Sequence, residues 1–184
     1  MHIGTQHVTG DNWTAYQVLT QLGVNHVSAN PPGPWQSWNA SVLTQFKENL
    51  ASLGASLDMM LLPLASGPAR TQDLPHVFLR PSPERDREID QLCDLIRNMA
   101  QAGIPAGRYN ITILGHLRTE SRTGRGGAIL SSFEYAKLNQ SLGEFEDGAA
   151  DADEMWERID YFLGRVIPVA EEYKVRLACH PQDP

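Results

Sequence analysis

A seven-residue junction, "QLGVNHV" at residues 21–27, recurs as "SLGASLD" at 52–58 and as "QAGIPAG" at 101–107. Each copy places a glycine just after a predicted helix, where the backbone needs a positive φ, and then enters an extended segment. Repeated helix–glycine–strand junctions indicate repeated βα units, which produce parallel strands with right-handed crossovers and helices outside them. The junctions therefore predict an α/β fold.

Short strand-like runs alternate with amphipathic helical patterns four times, and a fifth strand-like run follows. The predicted strands are His2–Gln6, Asn25–Ala29, Leu57–Leu62, Tyr109–Leu114 and Val175–Cys179. The predicted helices are Trp13–Leu22, Ser41–Leu53, Pro83–Ala102 and Ala152–Tyr173. The third helix has the clearest boundary signals, because Ser82 suits an N-cap and Pro83 suits the first helical position.

Two architectures are compatible with this order, a doubly wound open sheet and part of a (βα)₈ barrel. The first βα turn, "GTQHVTGDNW" at residues 4–13, has neither G-x-G-x-x-G nor a Walker pattern, which argues against a nucleotide-binding open sheet. Polar residues follow nearly every predicted strand, and in a barrel all strand ends converge on one mouth. These residues are His7, Asn30, His116, Arg118 and His180. We therefore predict a single domain over residues 1–184, a partial (βα)₈ TIM barrel of about four βα units plus a fifth strand.

The composition limits the function classes. The 184 residues are 41% hydrophobic and carry a formal net charge of −7, so we expect no nucleic acid and no membrane among the partners. No apolar run approaches the ~20 residues of a membrane span, and the N-terminus lacks the pattern of a signal peptide. The two cysteines, Cys93 and Cys179, form no C-x-x-C pair, which suits a reducing compartment and predicts a cytoplasmic protein.

The connection after the fourth predicted strand, residues 115–150, is a long loop insertion where about two to six residues are usual. Arg118, Arg122 and Arg125, against Glu120, make it locally cationic within an acidic protein. The planar guanidinium suits a carboxylate or a phosphate, so one interpretation is an anion-binding lid. The other is a solvated, mobile loop, and the composition does not decide between them.

Asn30–Trp38, "NPPGPWQSW", follows the second predicted strand. Its three prolines would hold Trp35 and Trp38 in place, either over the barrel mouth, where indoles stack on sugar rings, or against the core as loop anchors. Anchoring is the commoner use of tryptophan.

Among the histidines, His180 is the strongest candidate for a metal ligand, because it follows the fifth predicted strand and Pro181 stiffens the next turn. A neutral imidazole binds Zn²⁺ or Mn²⁺, but one ligand is not a site, and no second group with metal-ligand spacing lies nearby in sequence. His26, inside a strand, is more typical of a satisfied structural residue, as are His2 and His76. No catalytic residue is identified.

The C-terminal segment "VIPVAEEYKVRLACHPQDP", residues 166–184, resembles the mannonate dehydratase family, whose members carry a similar helix and a strand ending in His-Pro-Asp-Asp-Pro. "RYNITILGHLRT" at 108–119 and "GRGGA" at 124–128 are similar to segments of sugar isomerases, epimerases and mannonate dehydratases. "LGVNHVSANPPG" at 22–33 and "SPERDREID" at 82–90 fit the same group. The resemblance is spread over the chain and is most specific at its C-terminus.

The resemblance implies a xylose-isomerase-like barrel, a divalent metal, typically Mn²⁺, and a carbon–oxygen lyase that dehydrates D-mannonate to 2-keto-3-deoxy-D-gluconate in hexuronate (glucuronate) catabolism. It implies that His180 is a metal ligand and that Arg118 lies near the carboxylate of a small anionic sugar acid. We predict His116 and Arg125 as further substrate-binding residues. Gln182 departs from the family's aspartate, which would change hydrogen bonding around the metal ligands.

The resemblance also implies that the remaining metal ligands and the acid–base residues lie on strands six to eight, which these 184 residues do not include. We therefore expect a missing C-terminal half or a homo-oligomer, because open strand edges invite pairing. Two alternatives stay open at this point. One is a sugar or sugar-acid isomerase or epimerase on the same barrel, and the other is a non-catalytic truncated module.

Overall fold

The computed structural model describes residues 3–6, 10–138 and 150–180. Its helices are α1 (Trp13–Gln21), α2 (Ala40–Ser52), α3 (Pro83–Gln101) and α4 (Ala152–Glu172). Its strands are β1 (Gly4–Thr5), β2 (His26–Ser28), β3 (Ser56–Leu61), β4 (Ala106–Asn110), β5 (Thr119–Thr123), β6 (Ile129–Ser132) and β7 (Arg176–His180). The predicted α/β class and the predicted four helices are confirmed.

Five strands form one parallel sheet in the order β1-β2-β3-β4-β7. Each new strand is added to the same edge as the chain advances. A doubly wound open sheet instead reverses direction at a switch point. The order is therefore that of consecutive units of a (βα)₈ barrel, as the sequence predicts.

A hydrogen bond across the sheet shows that the sheet is curled. Arg108 of β4 donates from Nη1 to Oε1 of Gln6, just beyond β1, over 2.8 Å, although β2 and β3 lie between them. In a flat sheet, three strand spacings would separate β1 from β4 by about 14 Å, with side chains perpendicular to the sheet. The sheet must therefore curve around this pair. We call the side that carries Arg108 and Gln6 the inner face, and the side covered by helices the outer face.

The hydrophobic core lies between the outer face and the helices. Met60 of β3 is fully buried, and Tyr109 of β4 is 5% exposed with its ring centroid 5.5 Å from that of Phe162 in α4. The helices contribute apolar stripes that the periodicity predicts. Buried members of these stripes are Leu43, Phe46 and Leu50 of α2, Ile89, Leu92, Ile96 and Met99 of α3, and Phe162 and Val166 of α4. Burial of this layer is the main driving force for folding.

The three glycine junctions adopt the predicted conformation, with φ of +82° at Gly23, +83° at Gly54 and +67° at Gly103. The fourth helix–strand junction, between α4 and β7, uses Lys174 at φ +59° in the same position. A side chain with a Cβ is disfavoured in the left-handed region by about 1–2 kcal/mol. The junction geometry is thus common to four units, although only three carry glycine.

The fourth strand differs from its prediction. It runs from Ala106 to Asn110, whereas Tyr109–Leu114 is predicted. Small residues at the start of the strand conceal it in the sequence, because Gly107 has no side chain and Leu62 fills its place, 3.1 Å from where a Cβ would stand. The segment Ile111–Leu114 leaves the sheet, and its Ile111 and Ile113 pack against the core from the loop that follows.

Residues 115–150 are also more ordered than a loop insertion implies. They contain the antiparallel hairpin β5–β6 and a short 3₁₀ turn at Tyr135–Lys137. The stretch 139–149 lies outside the described residues. In the part of the chain that the structure describes, no helix is both long enough and apolar enough to cross a membrane.

Substitution of Lys174 by glycine should raise the free energy of unfolding by about 1 kcal/mol, because it removes the Cβ from a left-handed position. Urea unfolding followed by circular dichroism measures this change. Lys174→Ala is the matched control, since it shortens the side chain and keeps the Cβ. An equal gain in both variants would show that the lysine side chain, and not the backbone conformation, is responsible.

Candidate active site

His180 is the last residue of β7 and lies on the inner face, at the carboxyl end of the sheet. Its ladder partner is Asn110, the last residue of β4, and the preceding pair is Tyr109 with Cys179. Tyr109 packs on Phe162 and so faces the helices. Because side chains alternate along a strand, Asn110 and His180 face the opposite side. His180 is therefore the last residue of the strand itself, whereas the sequence predicts it one position after the strand. Its side chain is half-buried.

Asn110 is not among the predicted site residues, yet it is the neighbour of His180 in the sheet. It is 7% exposed, and both its backbone N and its Nδ2 donate to the carbonyl oxygen of Leu64, over 2.9 and 3.1 Å. These bonds fix the loop after β3 against the end of β4. The sequence does hold a signal for Asn110, since it is an amide side chain within the otherwise largely apolar stretch "YNITIL".

Asn30 has a similar structural use at the end of β2. Its Nδ2 donates to the carbonyl of Leu61, and its Oδ1 accepts from the amide of Leu61, each over 2.9 Å. The side chain thereby extends the pairing of β2 and β3 beyond the last strand residue. This polar strand end serves the fold.

Gly115 sets the course of the chain beyond β4. Its φ is +75°, its amide donates to Thr112 Oγ1 over 2.8 Å, and a Cβ would stand 2.8 Å from the backbone N of Pro68. The loop after β4 is therefore packed against the loop after β3. A residue other than glycine would be both strained and in collision with backbone, so this turn fixes where the following residues begin.

His116 and Arg118 follow this turn, and both side chains are exposed. Because β4 ends at Asn110, His116 lies six residues beyond the strand and not directly at its end. Arg118 donates from Nη1 to the carbonyl of Leu117 over 2.8 Å. Both residues lie in the connection that leaves the carboxyl end of β4, in the region predicted to bind substrate.

Arg125 lies farther out, in the turn between β5 and β6, and its side chain is exposed. Arg122 on β5 pairs with Glu134, which also accepts from Lys137 Nζ over 2.6 Å. The local positive charge of the connection is therefore partly neutralised by an acid that lies beyond the segment in which the arginines cluster.

The other histidines of the described residues have structural partners. His26 Nδ1 lies 2.7 Å from Asp58 Oδ2 on the inner face. His76 is held by Glu88 through both its backbone amide, over 2.7 Å, and its Nδ1, over 2.6 Å. The interpretation of both as structural residues fits these contacts. His2, His7 and the segment Pro181–Pro184 lie outside the described residues.

The tryptophans of the loop after β2 anchor it to the core. Trp38 is 7% exposed within the core cluster, and Trp35 is partly buried against it. Both indole N–H groups are buried without a hydrogen-bond partner.

Cys179 precedes His180 but belongs to the other face. Desolvation raises the pKa of the Cys179 thiol, while a hydrogen bond with Tyr109 acts in the opposite direction. The thiol is therefore protonated near neutral pH, and it lies on the face opposite to that of His180. Among residues 3–6, 10–138 and 150–180, no three His, Cys, Asp or Glu side chains form a group that could hold a metal ion. His180 thus offers a single imidazole from this part of the chain.

Comparison with known proteins gives matches in sequence and in structure. The family model described as D-mannonate dehydratase (UxuA) matches residues 130–184. A mannonate dehydratase of Thermotoga petrophila is 31% identical over 134 residues, which cover 55% of this chain and 37% of the relative. A mannonate dehydratase of Streptococcus uberis is 29% identical over 126 residues, which cover 55% of this chain and 36% of the relative.

The crystal structure of mannonate dehydratase from Streptococcus suis serotype2 aligns with 100% of this chain and 54% of its own, with a TM-score of 0.75 and 20% identity. A xylose isomerase domain protein from Planctomyces limnophilus aligns with 99% of this chain and 55% of its own, with a TM-score of 0.53 and 12% identity. The chain thus spans little more than half the length of these solved structures. The chain is similar to mannonate dehydratases over about half of its length, and it has the fold of a partial TIM barrel.

Proposed function

We propose that this chain is the N-terminal part of a mannonate-dehydratase-like hydro-lyase that converts D-mannonate to 2-keto-3-deoxy-D-gluconate. One observation carries the proposal: His180 lies on the inner face at the carboxyl end of β7, inside the segment that matches the family model. The carboxyl ends of the strands are where TIM-barrel enzymes build their active sites. Relatives named mannonate dehydratase over 55% of the chain support the reaction class.

His180 is the residue of this chain that would hold a divalent metal, for which we propose Mn²⁺. A neutral imidazole on a rigid strand end is a suitable donor for such an ion. When bound, the ion would supply Lewis-acid polarisation of a substrate oxygen. Since the described residues offer no group of three ligands, the proposal requires further ligands from strands that extend the sheet beyond the edge of β7.

The substrate that this proposal names is a small anionic sugar acid. Arg118, His116 and Arg125 are its proposed binding residues, because they lie on the connection that follows β4, and two of them are cations. Dehydration removes a proton from C2 and the hydroxyl from C3, and these leave as water while the enol product becomes the 2-keto acid. No described residue is assigned the acid or base of that step.

The proposed partner is either a second copy or a C-terminal half that continues the sheet. In the described part of the chain β7 has a neighbour on one side only, and a groove of 710 Å³ runs along it and α4. Ala170, Val175 and Leu177 contribute apolar surface to this groove. A further βα unit would bury that surface, which supports pairing at this edge. Hexuronate catabolism in the cytoplasm is the proposed setting.

In a full-length protein that carries this sequence, His180→Ala should weaken Mn²⁺ binding at least tenfold, because it removes one of few metal ligands. Isothermal titration with Mn²⁺ measures the affinity. The matched control is His116→Ala, which removes an imidazole beyond β4 and should leave the Mn²⁺ affinity unchanged. An unaltered affinity in His180→Ala would exclude His180 as a ligand.

D-mannonate incubated with the same full-length protein and Mn²⁺ should give a product lighter by one water molecule. Mass spectrometry distinguishes this outcome from that of an isomerase or epimerase, which conserves the mass of its substrate. A panel of D-mannonate, D-gluconate and the neutral hexoses tests the specificity. Conversion without loss of mass, or no conversion of any acid, would contradict the hydro-lyase proposal.

A further inference from the structure

Arg108 lies in the middle of β4 on the inner face of the sheet. Its two neighbours in the strand, Gly107 and Tyr109, face the outer layer, where they contact Leu62 and Phe162 respectively. Alternation along the strand directs Arg108 to the opposite side, and its hydrogen bond to Gln6 across the curled sheet confirms that direction. The guanidinium therefore lies over the interior of the barrel.

The charge of Arg108 has no acidic partner among the described residues. Nη1 donates to the neutral amide oxygen of Gln6, and Nε is buried without a hydrogen-bond partner. Other arginines pair with acids: Arg97 with Asp94 over 2.7 Å, and Arg165 with Asp90 over 2.5 Å. A guanidinium carries five N–H donors, so Arg108 retains most of its capacity for an anion.

The inner face beside Gln6, the hydrogen-bond partner of Arg108, is more polar than a usual barrel interior. Barrel interiors are typically filled by layers of branched apolar side chains. A cavity of 540 Å³ is lined by the polar residues Gln6, His26, Ser28 and Asp58 together with Val27 and Met59, and Gln6 connects it to Arg108. His26 and Asp58 pair with each other, whereas no acid in the described part of the chain pairs with Arg108.

Arg108 is also within reach of the proposed metal ligand. Arg108 is paired with Ala178, and Asn110 is paired with His180, so Arg108 lies two residues before the level of His180 on the same face. Two residues correspond to about 6.6 Å along a parallel strand. A six-carbon acid whose carboxylate contacts Arg108 would extend its hydroxyl groups toward the His180 end of the sheet.

We propose that Arg108, oriented by Gln6, binds the carboxylate of the substrate inside the barrel, and that it is a specificity-determining residue for sugar acids over neutral sugars. The identity of the ligand as a sugar acid rests on the proposed function. Arg108 suits this role better than Arg118, which is exposed to water and donates to its own neighbour's carbonyl. An ion pair is stronger where solvent is excluded, as inside a barrel, than on an exposed loop.

The experiment measures binding by isothermal titration calorimetry on the 184-residue chain and on the full-length protein. The probes are D-mannonate and D-mannitol, which has the same six-carbon skeleton without the carboxylate. Arg108→Gln should weaken D-mannonate binding about 10- to 100-fold, the loss of a charge-assisted hydrogen-bond pair, and leave D-mannitol binding unchanged. Arg97→Gln is the matched control, because it removes an arginine from the outer surface of α3, and it should alter neither affinity.

A second variant keeps the arginine in place. Gln6→Glu puts a carboxylate beside Nη1, where it neutralises Arg108, so it should also weaken D-mannonate binding while the thermal midpoint stays the same or rises. This variant keeps the test valid if Arg108→Gln fails to fold. Equal D-mannonate affinity in wild type and Gln6→Glu would overturn the proposal.

Three further outcomes separate this inference from the proposed function. Product formation by Arg108→Gln with an unchanged KM for D-mannonate would overturn the inference and leave the hydro-lyase intact. Arg108-dependent binding of D-mannonate without loss of water would support the inference and contradict the hydro-lyase. No binding of D-mannonate by either protein would overturn the role of Arg108, and its charge would then be assigned to a carboxylate of a pairing chain.

Discussion

The ladder between β4 and β7 is the interaction on which the candidate site depends. Five residue pairs join Ala106–Asn110 to Arg176–His180, although the insertion and the whole of α4 separate them in sequence. The pairing is parallel because α4 returns the chain to the start of the sheet by a crossover. It fixes which residues share the inner face, so Arg108 and Asn110 of β4 and His180 of β7 all face the barrel interior. A shift of the register by one residue would turn His180 toward the helices and Cys179 toward the interior.

Much of this arrangement follows from local signals in the sequence. The glycine junctions and helical stripes predict the units because they depend on neighbours within one turn of chain. The metal-ligand candidate His180 follows from its place at a predicted strand end, and the structure confirms that location, although its role remains a prediction. Lys174 illustrates the limit of the glycine rule, since tertiary packing holds a lysine where three other units use glycine.

The remainder depends on long-range contacts that no local pattern contains. The predicted start of β4 is three residues too late. Gly107 belongs to the strand because the side chain of Leu62, far away in sequence, packs over it. Arg108 gives no signal in sequence, because an arginine in "PAGRYN" is equally typical of a solvent-exposed position. Only the curl of the sheet, which brings Gln6 beneath it, identifies it as an interior charge. The hairpin β5–β6 was similarly hidden, since its glycines and arginines are typical of a loop.

The outer face of the sheet carries the apolar core that stabilises the fold, and the inner face carries the candidate functional residues. The apolar layer on the outer face is assembled from α2, α3, α4 and the strands of this chain alone, with Leu43, Met60 and Phe162 all fully buried. Folding of the partial barrel therefore does not require an apolar interior, and the inner face is free to carry polar groups. Such groups are costly to enclose unless each finds a partner. His26 and Asp58 provide one for each other, whereas Arg108 retains a positive charge that completion of the barrel would enclose. Continuing the sheet beyond β7 would therefore increase the affinity of this interior for an anion, because the same guanidinium would then act in a medium of lower dielectric constant.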